Sequence, residues 1–326
     1  MKLLITGVTG KVGSHFLQAF LADSRFTGSS AVALCHNRTA PPAERLTVMM
    51  GSLSDRASVE DAMSGVTHVV HMAAVKESPD LAMDVGVKGM FHLLESFRTS
   101  PSARQFILIG GDCSVGHIFH RYDEPITETS PRRAYPGCYA LTKVLEETML
   151  EQYQVQYGIN GCCLRAPWIM EKDDFRYALS FGEDQFGGPP WQELMAPEEL
   201  ARAAATPTAP LMLDHTGAPL KRNFVHVSDL VSAVLAALDN EAAERQLFNI
   251  AMNDPVDYGR VAEYLKDTRG YPAVEIPTGF FSNWLDNTKA RLKLDWHPKY
   301  DFRALIENAW SYVRASDDPR RIWYPG

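Results

Sequence analysis

The sequence predicts an α/β protein: a doubly wound parallel sheet with a smaller region toward its C-terminal end. Three observations carry that reading. A short apolar run, Lys2-Leu3-Leu4-Ile5-Thr6, passes through Gly7-Val8-Thr9-Gly10-Lys11-Val12-Gly13 straight into a helical pattern with Phe16, Leu17, Phe20 and Leu21 on one side. Short apolar runs then alternate with helical patterns up to residue 165, the mark of β-α-β units and a sheet covered on both faces. The 326 residues are 45% hydrophobic and 22% charged, an ordinary globular composition with length for a large core.

The first unit is also the first functional signal. Strand, glycine turn, helix is the setting that makes a glycine motif a dinucleotide site. Glycines let the backbone turn tightly and approach a pyrophosphate, and the helix start offers free N–H groups and a positive dipole end. The next strand is 31–35, ending at His36-Asn37-Arg38. An NAD site usually has a carboxylate here for the ribose 2′-OH. This chain has none, so Arg38 either meets a 2′-phosphate, a lean to NADP over NAD, or is a solvated loop arginine. Leu46 to Met50 is the third strand, followed by Gly51-Ser52-Leu53-Ser54-Asp55 and a helix through Met63. Thr67 to His71 is a strand, and the small residues of Met72-Ala73-Ala74 leave room for a cofactor at its end. A helix is expected from about Leu81 to Phe97, then a strand over Gln105 to Ile109 that runs into Gly110-Gly111-Asp112-Cys113-Ser114.

A polar loop with Pro125, Pro131 and Pro136 leads into a helix from Tyr139 to about Tyr157, stopped by Gly158. Ile159 to Arg165 is the sixth strand. At Ala166 the composition shifts to Pro, Gly and Trp. The expected division is therefore 1–165 for dinucleotide binding and 166–326 mainly for substrate, with the chain returning to the first part around 222–251. That return holds a strand at Asn223 to Val227, a helix capped by Ser228 or Asp229, and a strand at Leu247 to Ala251. Helices near Asp257 to Asp267 and Phe302 to Arg314 complete the chain.

A net charge of −8 argues against a nucleic-acid partner. No apolar run reaches membrane-spanning length, and the N-terminus has no signal-peptide pattern. Cys35, Cys113, Cys138, Cys162 and Cys163 lack C-x-x-C spacing and suit reduced thiols in a cytosol. A cytoplasmic protein with no metal, no membrane and no nucleic acid is expected.

Tyr139 and Lys143 lie at i and i+4, so one helix face carries both. A free tyrosine is a poor base at neutral pH, and a nearby ammonium favours its phenolate. So placed, Tyr139 can take a proton from a substrate hydroxyl as hydride leaves, or give one in reverse.

With these residues in view, the chain resembles an extended short-chain dehydrogenase/reductase of the NAD(P)-dependent epimerase/dehydratase family over nearly its whole length. The resemblance rests on T-G-V-T-G-K-V-G (6–13), G-S-L-S-D (51–55), H-M-A-A (71–74), Y-A-L-T-K (139–143) and L-R-A-P (164–167). R-N-F-V-H-V-S-D-L (222–230), F-N-I-A (248–251) and K-A-R-L-K-L-D-W-H-P (289–298) extend it. It implies a Rossmann fold and roles by position. Gly7, Gly10 and Gly13 border the pyrophosphate, with Thr9, Lys11 and Val12 in the same turn. His36, Asn37 and Arg38 lie toward the adenosine ribose. Ser52 and Leu53 lie by the adenine, although the family usually has an acid at Ser52. Met72, Ala73 and Ala74 line the ribose path, and Pro167 lies near the carboxamide. Tyr139 and Lys143 are catalytic, and Lys143 also holds the nicotinamide ribose. Arg222 matches an arginine that often binds a substrate phosphate; the alternative is a surface strand residue.

The departures matter. The family's active-site Ser/Thr falls on Gly111, so Ser114 is the expected substitute; Cys113, the Gly111 N–H and a bound water are the other candidates. Cys113 stands where dehydratases carry Glu after Asp112, which counts against dehydration. Trp168 stands where sugar-nucleotide enzymes often have Asn. Trp168 and Arg222 are expected at the substrate. The expected activity is NAD(P)-linked hydride transfer at a carbinol or carbonyl carbon, of a sugar or nucleotide sugar, in a chain that forms a homodimer. The alternatives are an NADPH-dependent carbonyl reductase on a non-nucleotide substrate and a non-catalytic NADP-binding sensor.

Overall fold

Leu3, Leu4 and Ile5 of the first strand are fully enclosed, as a central parallel strand with both faces covered requires. In the computed structural model, which describes residues 1–185, 187, 189–318 and 320, the chain runs as follows. Strand β1 (Lys2–Thr6) leads to helix α1 (Lys11–Ala22), then β2 (Ser30–Cys35), β3 (Leu46–Met50), α2 (Arg56–Ala62) and β4 (His68–His71). A helical stretch follows: α3 (Pro79–Leu81), a π-helical segment (Ala82–Lys88) and α4 (Gly89–Thr99). Next come β5 (Gln105–Gly111), α5 (Cys138–Tyr157) and β6 (Gly161–Ala166). Beyond β6 lie β7 (Trp168–Met170), α6 (Asp174–Ala178), α7 (Trp191–Leu194), α8 (Pro197–Ala205), β8 (Ala209–Leu213), β9 (Lys221–Arg222) and β10 (Phe224–His226). Helix α9 (Val227–Ala237), β11 (Leu247–Asn249), β12 (Val256–Asp257), α10 (Tyr258–Arg269), β13 (Ala273–Pro277), α11 (Thr288–Leu294) and α12 (Phe302–Ser311) complete it.

The main sheet is seven-stranded and parallel, in the order β11-β6-β5-β4-β1-β2-β3. This is the expected doubly wound Rossmann arrangement. Phe16 and Phe20 of α1 meet Leu230 and Val234 of α9 on one face. Val59 of α2, Leu93 and Leu94 of α4, and Leu150 of α5 cover the other. A separate apolar cluster gathers Phe175, Trp191, Leu220, Phe224, Tyr258 and Leu305. No helix among the described residues is long and apolar enough to cross a membrane, and no group of His, Cys, Asp and Glu among them could hold a metal.

Three local expectations change. Asn223 to Val227 is not one strand of the main sheet: β9 pairs antiparallel with β12, and β10 pairs with β7. Asn223 is turned aside between them, bonding Asn283 and Leu285. Helix α9 is capped by His226, whose Nδ1 accepts from the Ser228 N–H, while Asp229 is buried and accepts from the Lys299 and Tyr300 N–H groups. The helix expected from Leu81 contains the π-helical segment, where Gly86 lies close to Thr142 of α5.

Candidate active site

The glycine turn sits at the carboxyl end of β1. Gly7 has φ +72°, and a Cβ there would stand 2.6 Å from the Ala73 nitrogen. A Cβ on Gly13 would collide with the Gly7 carbonyl. The Gly10 N–H donates to that same carbonyl at 3.0 Å. The turn therefore needs glycine at 7 and 13, and it brings backbone close to the start of α1, a cradle suited to a pyrophosphate. Thr9 and Val12 are half-buried in it. Lys11 turns its ammonium away to the Ile169 carbonyl (3.0 Å) and Asp174. Its side chain ties the turn to the C-terminal residues, so that what it has left to offer an anion is its backbone N–H.

His36, Asn37 and Arg38 are exposed just past β2, with no carboxylate among them. Ser52 is half-buried and bonded to Ser54 (Oγ to Oγ, 2.8 Å), and Leu53 is buried against Gly89. Met72 and Ala73 are half-buried and Ala74 is exposed at the end of β4. The Met72 and Ala73 N–H groups both point to Thr6 Oγ1, at 3.3 and 3.4 Å, and that hydroxyl meets His71 Nδ1 at 2.6 Å. Burial draws His71 down to about 3, so it is neutral.

Helix α5 begins against the loop after β4. Glu77 Oε2 accepts from the Cys138 N–H at 3.0 Å, a cap from outside the helix that favours its N-terminus. Tyr139 and Lys143 follow on one face. Lys143 is buried and donates to the Ile109 carbonyl at 3.1 Å and to Glu146 at 2.7 Å. Gly111 ends β5 directly opposite: the point where its Cβ would stand is 3.8 Å from the Tyr139 hydroxyl, 3.8 Å from Lys143 Cγ and 2.8 Å from Cys113 Sγ. A side chain at 111 would reach the tyrosine hydroxyl, and the sulfur of Cys113 occupies that space instead.

Ser114 is not presented there. Its hydroxyl donates to Glu147 at 2.8 Å; Glu147 is buried and also accepts from buried Arg165 and from Arg132, which reaches in from the surface. The three-residue spacing from Gly111 suggested proximity, but the 3₁₀ turn over Asp112–Val115 delivers Cys113 to Tyr139 and Ser114 to Glu147. Sequence reasoning missed two further neighbours. The Lys76 ammonium lies 3.6 Å from the Tyr139 ring centroid. Glu77, the helix cap, is the other. Burial pushes the Tyr139 phenol well above its ordinary value, with Cys113, Tyr135, Glu146 and Asp112 adding to the effect.

On the other side of Asp112 a buried chain leads to the expected substrate residues. Asp112 meets His117 Nδ1 at 2.5 Å, and Arg222 Nε donates to His117 Nε2 at 2.7 Å. His117 is thus neutral with its proton on Nδ1, as burial also favours. The Arg222 guanidinium lies 4.0 Å over the Trp168 ring and bonds Tyr258. Trp168 stacks on Phe224 at 5.4 Å, under Gly187, where no Cβ would fit. Pro167 is buried between β6 and β7. Arg222 and Trp168 are brought together, and both are linked to Asp112 beside Cys113.

Comparison with known proteins agrees with this architecture. The sequence model of the family described as GDP-mannose 4,6 dehydratase matches residues 4–309. The chain is 22% identical to a dTDP-glucose 4,6-dehydratase of Mycolicibacterium smegmatis, over 97% of this chain and 94% of that protein. It is 24% identical to a UDP-glucose 4-epimerase of Erwinia amylovora, over 96% and 97%. Among solved structures, a short-chain dehydrogenase/reductase superfamily protein from Agrobacterium tumefaciens with bound NAD superposes with TM-score 0.78 at 23% identity, covering 95% of this chain and 96% of that one. The UDP-glucose 4-epimerase of Thermotoga maritima with UDP-glucose gives 0.71 at 21%, covering 96% and 98%. The chain belongs to the GDP-mannose 4,6 dehydratase family, within the extended short-chain dehydrogenases/reductases of the NAD-dependent epimerase and dehydratase kind.

Proposed function

We propose that this protein moves hydride between a nicotinamide dinucleotide and a carbinol or carbonyl carbon of a sugar or nucleotide sugar, with Tyr139 as the proton-transfer group. The observation that carries the reading is the meeting of Tyr139, Lys143 and the Gly111 end of β5 on the edge of the sheet where the glycine cradle opens. Ligands of open α/β sheets lie at the carboxyl ends of the strands. The bound dinucleotide supplies the hydride acceptor or donor. Gly7, Gly10 and Gly13 hold its pyrophosphate, His36 to Arg38, Ser52 and Leu53 take the adenosine end, and Met72 to Ala74, Lys143 and Pro167 take the nicotinamide end. Tyr139 passes a proton to or from the substrate oxygen, and the Cys113 thiol is the second group at that oxygen. Cys113 in place of an acid leaves epimerisation or simple oxidoreduction ahead of dehydration. The lean to NADP rests on Arg38 and the missing acid at the end of β2.

One observation favours a second reading of the substrate. Arg222, expected at a phosphate, is enclosed by Trp168, His117 and Tyr258. A non-nucleotide sugar or other carbonyl compound fits that arrangement. We place the homodimer contact on the face of α4 and α5 where Phe91 and Tyr157 are exposed, and the compartment in the cytosol, in keeping with five free cysteines.

Fluorescence titration with NADH and NADPH tests the cofactor. Micromolar binding is expected, and a tenfold preference for NADH, about 1.4 kcal/mol, would overturn the NADP lean. A panel of nucleotide sugars, free sugars and uronic acids, read by NAD(P)H formation, then tests the substrate.

A further inference from the structure

Beside the Tyr139–Lys143 pair stands a carboxylate with no role in the reading above. Glu146 lies three residues after Lys143 on α5, is 1% exposed, and accepts from Lys143 Nζ at 2.7 Å. On the opposite side Gly86, in the π-helical segment, approaches it closely: a Cβ there would stand 3.4 Å from Glu146 Oε1. The next residue, Glu147, is taken by Arg165, Arg132 and Ser114, so the two adjacent carboxylates have separate cations.

Two buried groups at this distance titrate as one unit. Wherever the shared proton sits, the pair carries no net charge. Burial alone would lower Lys143, and Glu146 overrides it. An uncompensated ammonium one helical turn from Tyr139 would favour the phenolate; a compensated one does so much less. The other groups facing Tyr139 are Asp112 and Cys113 from the end of β5, Tyr135 from the loop before α5, and Lys76 from the loop after β4, with Glu77 beside it. Lys143 is faced in addition by Cys163 of β6 and His71 of β4. Lys76 is the cation left to act on Tyr139. It lies over the ring face.

We propose that Glu146 is a positioning residue that holds Lys143 against the Ile109 carbonyl and offsets its charge, so that Lys143 favours the Tyr139 phenolate less than a bare ammonium would. The proposal rests on the reading that Tyr139 and Lys143 act together.

Ultraviolet titration of tyrosine ionisation on the purified protein tests this with no substrate. The Tyr139 signal is isolated by subtracting the matching Tyr139→Phe protein. In the wild type its midpoint is expected above the ordinary value near 10. In Glu146→Gln it is expected to move down by about 1 to 3 pH units, and in Glu146→Asp it should stay as in the wild type. An unmoved signal in folded Glu146→Gln, or wild-type ionisation at the ordinary value, overturns the proposal. Should Glu146→Gln fail to fold, Lys143→Met combined with Glu146→Gln removes both charges. Tyr139 should then titrate as in the wild type, and a downward shift overturns the proposal. A negative titration leaves the role of Tyr139 itself to be judged by turnover of Tyr139→Phe, so the two failures are distinguishable.

Discussion

Gly111 and Cys113 have to be read as a pair. The sulfur stands 2.8 Å from where a Cβ at 111 would be, so the space that a Ser/Thr side chain would use is filled from two residues further on. Burial pushes the Cys113 thiol up to about 12, which keeps it protonated, a weak donor to charge on a substrate oxygen. Cys113→Ala should cut turnover by roughly 10 to 10³-fold, the range for removing one such donor, and Cys113→Ser should retain or raise it. Gly111→Ser alone should lower the melting temperature, because the new Cβ meets the sulfur. Gly111→Ser with Cys113→Ala returns a hydroxyl to the vacated space and should recover both stability and turnover. Steady-state rates and thermal melts on the four proteins check this; an unchanged rate in Cys113→Ala would hand the role to the Gly111 N–H or water. Nothing in the sequence separated Cys113 from Ser114, since the choice is made by the 3₁₀ turn at 112–115.

At the scale of the element, the strand–turn–helix unit was legible because its signals are local. Apolar residues for β1, glycines at 7 and 13, and Phe16, Leu17 and Phe20 on one face of α1 each have one reading. Gly13→Ala should leave the sheet folded yet weaken dinucleotide binding at least tenfold, about 1.4 kcal/mol, because the added methyl displaces the Gly7 carbonyl that closes the turn. A fluorescence titration that finds wild-type affinity in Gly13→Ala would remove the cradle from the site. Other elements depend on distant partners and were not legible. The Glu77 cap of α5 lies 61 residues from the N–H it accepts. In the π-helical segment Gly86 packs against α5, and where β10 pairs with β7 Asn223 bonds Asn283 and Leu285. The position of Arg222 was legible, but its enclosure by His117, Tyr258 and Trp168 was not.

At the scale of the whole molecule, buried neutral histidines make the fold sensitive to acid. His71 is drawn down to about 3 and His226 to about 4, in both cases by burial first. An unfolded histidine titrates near 6.5. Below that value the unfolded chain takes up protons that the folded chain refuses, so stability falls as pH drops from 6.5 toward 4. Between pH 7 and pH 5 the two should together remove about 3 to 4 kcal/mol at about 1.4 kcal/mol per unit each. Urea unfolding at the two pH values measures the loss, and His71→Asn should show about half of it; an equal loss in that variant would place the sensitivity elsewhere. The same assembled molecule sets the test of function, since β1, β5 and α5 come from separate stretches and meet only in the sheet. The most direct measurement compares the wild type with Tyr139→Phe, each given NAD(P) and the sugar and nucleotide-sugar panel, for cofactor affinity and hydride transfer. The account predicts that affinity is kept and transfer falls by about 10² to 10⁴-fold; near-normal transfer in Tyr139→Phe would contradict it.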